Sequence, residues 1–143
     1  MARLRKALLL SSLLLTATLA CAAAPVVVSS KLSSESAMIG QMIRLLLEAH
    51  GIPTVDRMAI GATPVVRKAL LAGEIDLYVE YTGNAGFFFN RADEPVWKDL
   101  QRGYKLGARL DYDANRIVWL TPAAASNSWA LAVRRDIAKK HRL

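Results

Sequence analysis

The alternation of apolar and polar residues in "EIDLYVEYTGN", residues 74–84, predicts a β-strand over residues 75–81. One face of this strand would carry Ile75, Leu77, Val79 and Tyr81. The strand runs into an aromatic ring and then into the small polar residues of "TGN". In an open parallel sheet, ligands bind beyond the carboxyl ends of the strands. We therefore ask what this end of the strand could bind.

Two further strand–helix pairs precede this segment. The apolar run Val26–Val28 is typical of a strand buried on both faces. Apolar residues then recur at helical spacing from residue 38 to residue 49, after the candidate N-caps Ser33 and Ser34 and before Gly51 as the end.

Residues 54–58 predict a short second strand. Thr63 as the N-cap and Pro64 at the first helical position then predict a helix that ends at Gly73. The order strand, helix, strand, helix, strand with short connections predicts an α/β fold. Its sheet would be mainly parallel, with flanking helices.

The second half of the chain has a less regular pattern. We predict a turn or short helix in "GNAGFFFN", and a helix capped by Asp93 that holds residues 95–106. "RIVWLTP" and "WALAV" predict two strands, and "RRDIAKKHRL" predicts a final helix. Its basic residues are interpreted as a solvated helix face.

The first 24 residues are predicted to be a secretory signal peptide. Basic residues at the start, an apolar run from Ala7 to Leu15 and small residues near residues 20–24 form the usual three regions. Cys21, the single cysteine, could instead be a lipid attachment site, but Thr18 stands where a lipoprotein signal has leucine. We therefore prefer simple cleavage, which would give a periplasmic protein. This protein would contact the membrane only through a partner protein or through a lipid anchor at Cys21.

Composition and motifs exclude several classes of function. Without the leader, 16 basic and 12 acidic side chains remain, a net charge of +4 with no basic stripe that would suit a nucleic acid. No glycine-rich nucleotide motif, no metal-ligand spacing and no nucleophile with a base is present. We therefore predict no cofactor, no metal and no enzymatic activity.

The predicted carboxyl ends of the strands collect one cation, two aromatic rings and several polar groups. Lys31 follows the first strand and precedes a helix N-terminus, where a carboxylate or phosphate could bind; the alternative is an ordinary surface lysine. Tyr81 and Trp129 offer ring faces that attract quaternary ammonium groups; the alternative is packing in the core.

Three stretches resemble a known family in combination. "SSKLSSESAMIGQMIRLLLEAHG", "GATPVVRKALLAGEIDLYVEYTGN" and "WLTPAAASNSWALAV" are similar to the osmoprotectant-binding proteins of ABC transporters, which bind glycine betaine, choline or carnitine. The resemblance runs from Val26 to Leu143 and is strongest to the periplasmic glycine betaine-binding kind. It implies a two-lobed fold of the type II periplasmic binding protein class. Residues 25–143 would be the first lobe, truncated before the second.

The resemblance also implies a site and partners. Tyr81 and Trp129 match aromatic cage positions, with Trp129 where many relatives have tyrosine, and Lys31 matches the lysine that binds the ligand carboxylate. Asn84 replaces a threonine of the relatives. The polar contacts implied are Ser30, Thr82, Asn84 and Asn127. The partners would be a quaternary ammonium ligand and an ABC transporter permease. A receptor for another zwitterion or an amino acid on the same fold, and an enzyme on a related fold, are the alternatives.

Overall fold

The computed structural model describes residues 24–125, 127 and 131–143. These residues fall into two compact units, which divide between Val79 and Glu80. The predicted signal peptide up to residue 23, with Cys21, lies outside the described residues, and so does Trp129. Within the described part of the chain, no helix is long and apolar enough to span a bilayer.

The first unit is a three-stranded parallel sheet with two helices. Its strands have the spatial order β2-β1-β3, and β1 is parallel to both neighbours. The elements along the chain are β1 (Val26–Lys31), α1 (Ser34–Ala49), β2 (Thr54–Gly61), α2 (Thr63–Leu71) and β3 (Leu77–Tyr78). The predicted α/β architecture with a parallel sheet and flanking helices is confirmed.

The helix ends of the first unit follow from single residues. Ser33 is the N-cap of α1, and its hydroxyl accepts a hydrogen bond from the Ser36 N–H. Gly51 has φ +75° and ends α1, and Gly73 has φ +70° just after α2, a conformation that glycine adopts without a steric penalty. The prediction that Thr63 is the N-cap of α2 is wrong by one residue, because Ala62 holds that position.

Three predicted strands have wrong boundaries. β2 continues to Gly61, although the prediction ended it at residue 58. β1 extends through Lys31, so its last polar residues lie within the strand and not after it. β3 contains only Leu77 and Tyr78, although alternation predicted a strand over residues 75–81. Asp76 uses both its backbone N–H and its carboxylate to pair with Val27, and the strand pairing of β3 with β1 ends at Tyr78.

The core of the first unit lies between α2 and the sheet. Val66 and Ile75 are almost fully buried and pack with Ala69, while Val28 at the centre of β1 is also fully buried. Four partly buried residues complete the cluster: Val27, Ile60, Leu70 and Tyr78. Burial of a side chain of this size stabilises a fold by about 1.5–3 kcal/mol.

The second unit is helical in the part that the structure describes. Its elements are α3 (Asn84–Phe88), a 3-10 helix (Pro95–Lys98), α4 (Leu100–Asn115) and α5 (Arg135–His141). The short helix in "GNAGFFFN" and the final basic helix are confirmed, and the basic residues of α5 are exposed. The single helix over residues 95–106 is wrong. Asp99, not Asp93, caps α4 by accepting the Arg102 N–H at 2.9 Å.

The two strands predicted in the second half are not formed where the structure describes them. Residues 116–122 and 131–134 have no strand pairing, and the start of "WALAV" lies outside the described residues. A strand requires a hydrogen-bonded neighbour. The segment around Trp119 is held by side chains of α4 instead.

The buried face of α4 consists of small residues and one acid. Gly103, Gly107 and Asp111 follow one another at a spacing of four and are buried. A Cβ on Gly107 would lie 3.4 Å from the Trp119 ring and 3.0 Å from the Ala85 Cβ. The glycines therefore let α3 and the Trp119 indole pack closely against the helix.

Candidate functional site

The carboxyl end of β1 forms the first part of the predicted site. Ser29 and Ser30 are fully buried, and Lys31 is 7% exposed. The Lys31 N–H donates to the Ser36 hydroxyl at 3.1 Å, which ties the end of the strand to the first turn of α1. Lys31 is therefore a buried residue beside a helix N-terminus, and the interpretation as an ordinary surface lysine is wrong.

A break in the strand pairing surrounds Ser30. Ser29 pairs with Arg57 and Lys31 pairs with Gly61, so three residues of β2 lie opposite Ser30 alone. Ala59 in this bulge has φ +56°, a conformation that costs a residue other than glycine about 1 kcal/mol or more. The Ser30 hydroxyl accepts the Ala59 N–H at 2.8 Å and donates to the Lys31 carbonyl at 3.0 Å. In this structure Ser30 therefore stabilises the bulge.

The turn after β3, residues 80–84, forms the second part of the predicted site and belongs to the second unit. We call it the Tyr81 turn. The Asn84 N–H donates to the Tyr81 carbonyl at 2.9 Å, and α3 begins at that residue. The Glu80 carboxylate accepts two hydrogen bonds of 2.7 Å, from the Tyr81 N–H and from the Asn84 side-chain amide. Tyr81, Thr82 and Asn84 are half-buried.

This turn rests on α4. A Cβ on Gly103 would lie 3.4 Å from the Thr82 methyl group, and the Trp97 ring approaches the same position at 3.5 Å. Ala85 contacts the next glycine, Gly107. The close approach fixes the depth of the turn, so the position of Thr82 depends on the lack of a side chain at Gly103.

The predicted site residues thus fall into two groups. Ser30 and Lys31 lie in the first unit, whereas Tyr81, Thr82 and Asn84 lie together in one turn of the second unit. Asn127 is exposed and is also in the second unit, and Trp129 lies outside the described residues. The aromatic cage itself therefore stays a prediction.

Residues 24–143 match the OpuAC family, the substrate-binding domain of ABC-type glycine betaine transport systems. The chain belongs to this family. The match includes every described element of both units. The predicted resemblance to osmoprotectant-binding proteins is confirmed by it.

Individual relatives are named for two different ligands. The chain is 49% identical over 122 residues to the glycine betaine-binding protein YehZ of Escherichia coli, across 85% of this chain and 40% of that protein. It is 33% identical over 118 residues to the ergothioneine transport permease/ergothioneine binding protein EgtU of Helicobacter pylori, across 82% of this chain and 21% of that protein.

The solved structure of apo YehZ from Escherichia coli matches with a TM-score of 0.74 at 49% identity. The match covers 85% of this chain and 43% of that one. This OpuAC chain thus spans less than half the length of these relatives. The shared fold is that of a substrate-binding domain with a small parallel sheet and flanking helices.

Two residues of this OpuAC domain were missed by the sequence interpretation. Glu80 was assigned to a strand face, yet it holds the Tyr81 turn through two hydrogen bonds. Its place four residues before Asn84 could have indicated the pair. Asp111 is fully buried beneath Trp119. Its alignment with Gly103 and Gly107 could have marked it as part of the buried face of α4.

Within the described ranges, no group of three histidine, cysteine, aspartate or glutamate side chains could hold a metal ion. The pKa of the Asp56 carboxyl group is lowered, and Asp56 lies far from the Tyr81 turn in sequence. Hydrogen bonds from the Gln41 amide and the Met58 N–H, and the charge of Arg44, hold this pKa below its ordinary value.

Proposed function

We propose that this chain contributes to the ligand site of an ABC importer and captures glycine betaine or a related quaternary ammonium osmoprotectant. The observation that carries the proposal is the match of residues 24–143 to a substrate-binding domain family of glycine betaine transport. Its relative YehZ is named a glycine betaine-binding protein. Because the relatives are substrate-binding transport proteins, we infer a role in uptake and not in catalysis.

Tyr81 and Trp129 would bind the trimethylammonium end of the ligand. A cation over an aromatic face is stabilised by about 0.5–2 kcal/mol, the larger value applying where water is excluded. Tyr81 is half-buried in a turn fixed by Glu80 and by packing on α4, which would hold its ring in place before the ligand arrives. Preorganisation of this kind lowers the entropic cost of binding.

Lys31 would bind the ligand carboxylate. It is buried at the end of β1, next to the N-terminus of α1, where a positive dipole adds to its charge. The remaining polar contacts would come from Ser30, Thr82, Asn84 and Asn127. Ser30 and Asn84 already have hydrogen-bond partners within the chain, so the amide of Asn84 would have to use its second N–H for the ligand.

We place this function in the periplasm, with the ABC permease as the protein partner. The predicted signal peptide supports export, and the family is part of ABC transport systems. N-terminal sequencing of the exported protein tests the localisation. A start after residues 22–24 supports simple cleavage, a lipid-modified Cys21 would replace it by a membrane-anchored form, and a start at Met1 would contradict export.

A second ligand is favoured by one relative. EgtU is named an ergothioneine binding protein and is 33% identical to this chain. Ergothioneine is also a trimethylammonium zwitterion, so the same ring and the same lysine would suit it. Parallel calorimetric titrations with glycine betaine, choline, ergothioneine and glutamine would rank the ligands. Binding of glutamine alone would contradict the proposal.

The ring of Tyr81 is tested by two substitutions in the full-length protein. Tyr81→Ala should weaken betaine binding by more than about ten-fold, because the cation loses one aromatic face. Tyr81→Phe should be tolerated, since the proposal needs the ring and not the hydroxyl. Equal betaine affinity for wild type and Tyr81→Ala, measured by calorimetry, would remove Tyr81 from the site.

The charge of Lys31 is tested by comparing two ligands. Choline has the cationic group of betaine but no carboxylate, and a hydrogen bond to a charged group contributes about 1.5–3 kcal/mol. Lys31→Met should therefore shift the betaine-to-choline preference toward choline by roughly ten-fold or more. Lys68→Met, at an exposed lysine of α2, is the control and should leave the ratio unchanged. An unchanged ratio in Lys31→Met would mean that Lys31 supports only the fold.

A further inference from the structure

Asp111 is a buried carboxylate with a specific set of partners. Its side chain is fully buried on the inner face of α4. It accepts a hydrogen bond of 2.7 Å from the Trp119 indole N–H and one of 2.9 Å from the Asn115 amide. Burial of an ionised carboxylate is costly, and it persists only where hydrogen bonds compensate for the lost water.

Trp119 is attached to α4 at three points. Its indole N–H reaches Asp111, its ring covers Gly107, and its backbone carbonyl accepts the Tyr104 hydroxyl at 3.2 Å. Its neighbours Val118 and Leu120 are 66% and 78% exposed. Trp119 therefore holds this segment on α4, since the segment has no strand partner where it is described.

We propose that Asp111 is a positioning residue for ligand binding, which acts by holding Trp119 on α4. The segment fixed in this way leads within eight residues to Asn127, a polar contact of the proposed site. A charge-assisted hydrogen bond is roughly twice as strong as a neutral one. The carboxylate thus determines where the loop after Thr121 begins. The inference rests on the proposed function for its link to the ligand, but the anchor can be tested without any ligand.

The anchor is tested by tryptic cleavage after Arg116 under native conditions, with the product identified by mass. Trp119→Phe keeps an aromatic side chain but removes the indole N–H and the outer part of the ring that lies over Gly107. Trp97→Phe is the matched control, because the Trp97 indole also donates within this unit, to the Arg91 carbonyl at 2.6 Å, but does not hold the segment. Trp119→Phe should accelerate cleavage roughly ten-fold, which corresponds to about 1.4 kcal/mol, and Trp97→Phe should not.

A second substitution tests whether the anchor requires the negative charge of Asp111. Asp111→Asn keeps the shape and one acceptor oxygen, and it should accelerate cleavage in the same direction. The double variant Asp111→Asn/Trp119→Phe should add little to either single change, because both remove one interaction. Equal acceleration in all variants, Trp97→Phe included, would mean a general loss of stability and would overturn the inference. No acceleration in Trp119→Phe would overturn it as well.

The link to the ligand is tested by measuring betaine and choline affinities in the same variants of the full-length protein. If Asn127 contacts the carboxylate, Trp119→Phe should shift the betaine-to-choline preference at least about three-fold toward choline. A uniform loss of affinity for both ligands would contradict the positioning role. If wild type binds no quaternary ammonium compound while cleavage still accelerates, the proposed function fails and the anchor stands.

Discussion

The two units of the chain are stabilised in different ways. The first unit buries a cluster of branched apolar residues between α2 and a hydrogen-bonded sheet. In the second unit, Ala85 is the one buried hydrophobic residue among those described, and the buried face of α4 is Gly103, Gly107 and Asp111. Indole rings on glycines and hydrogen bonds to carboxylates take the place of an apolar core there.

This difference has consequences for both stability and function. Apolar burial is non-directional, so the first unit gains stability from any side chain of suitable size. The contacts of the second unit depend on individual atoms, such as the Trp119 N–H and the Glu80 carboxylate. Such contacts fix particular positions, which suits the unit that carries the Tyr81 turn.

The largest effect is expected from a truncation in the apolar core. Ile75→Ala should lower the free energy of unfolding of the first unit by about 2–5 kcal/mol, because Ile75 is 1% exposed and the cavity would be lined by Val66 and Ala69. Leu106→Ala, at a half-buried leucine of α4, should cost less than half as much. Hydrogen exchange resolved by peptide would report both.

The same experiment can contradict the difference in stabilisation between the two units. If Leu106→Ala destabilised its unit as strongly as Ile75→Ala destabilises the first, the second unit would depend on apolar burial after all. Loss of protection in Ile75→Ala should be greatest in β1 and α2, which supply the core. An effect confined to the Tyr81 turn would contradict the assignment of Ile75 to that core.

A smaller effect is expected where glycine permits close packing in the second unit. A Cβ on Gly86 would lie 2.8 Å from the Trp97 Nε1 atom and 3.0 Å from the Ala92 backbone. Gly86→Ala should therefore cost about 1–3 kcal/mol in the free energy of unfolding, the usual range for overpacking.

Gly83→Ala is the matched control for this glycine. Gly83 has a helical φ of −62° and no neighbour within 4 Å of the added Cβ. It should be close to neutral, because alanine adopts this backbone conformation without strain and its methyl group meets no neighbour. Thermal unfolding of Gly86→Ala and Gly83→Ala, measured in parallel, compares the two effects on stability. A neutral Gly86→Ala would show that Trp97 and the neighbouring backbone move aside at little cost.

The fold of the first unit could be predicted from the sequence because its signals are local and periodic. The apolar run of Val26–Val28, the cap at Ser33 and the glycines at 51 and 73 each act within a few residues. The predicted bounds of β3 were wrong because side chains form hydrogen bonds where backbone pairing between strands was expected. Asp76 pairs with the Val27 backbone at the start of β3, and Glu80 closes a turn beyond its end.

The second unit could not be predicted in the same way because its contacts join distant residues. Alternation around Trp119 predicted a strand, but the partner of this segment is Asp111 on α4. The same applies to the site. A resemblance located Lys31 and Tyr81 in the sequence, whereas the bulge that occupies Ser30 depends on Ala59 in another strand.

The smallest effect is expected from a polar cluster in the first unit, and it depends on pH. Asp56 on β2 accepts hydrogen bonds from Gln41 at 2.6 Å and from Arg44 at 2.7 Å, both on α1. These contacts and the Met58 N–H lower the pKa of the folded Asp56 below 3.8. The unfolded chain therefore binds the proton more readily than the folded chain does. The stabilising contribution is fully present above about pH 4 and is lost as the pH falls through the folded pKa.

Thermal unfolding of wild type and Asp56→Asn should thus differ by a few degrees at most near pH 7, because the ion pair of Asp56 with Arg44 is partly exposed and water screens it. The difference should shrink toward zero as the pH falls below about 3. Asp113→Asn, which removes an exposed ion pair of 3.6 Å with Arg109 on α4, is the control in the second unit. A difference for Asp56→Asn that grew on acidification would reverse the sign of the linkage. It would show that this carboxyl group is protonated more readily in the folded chain.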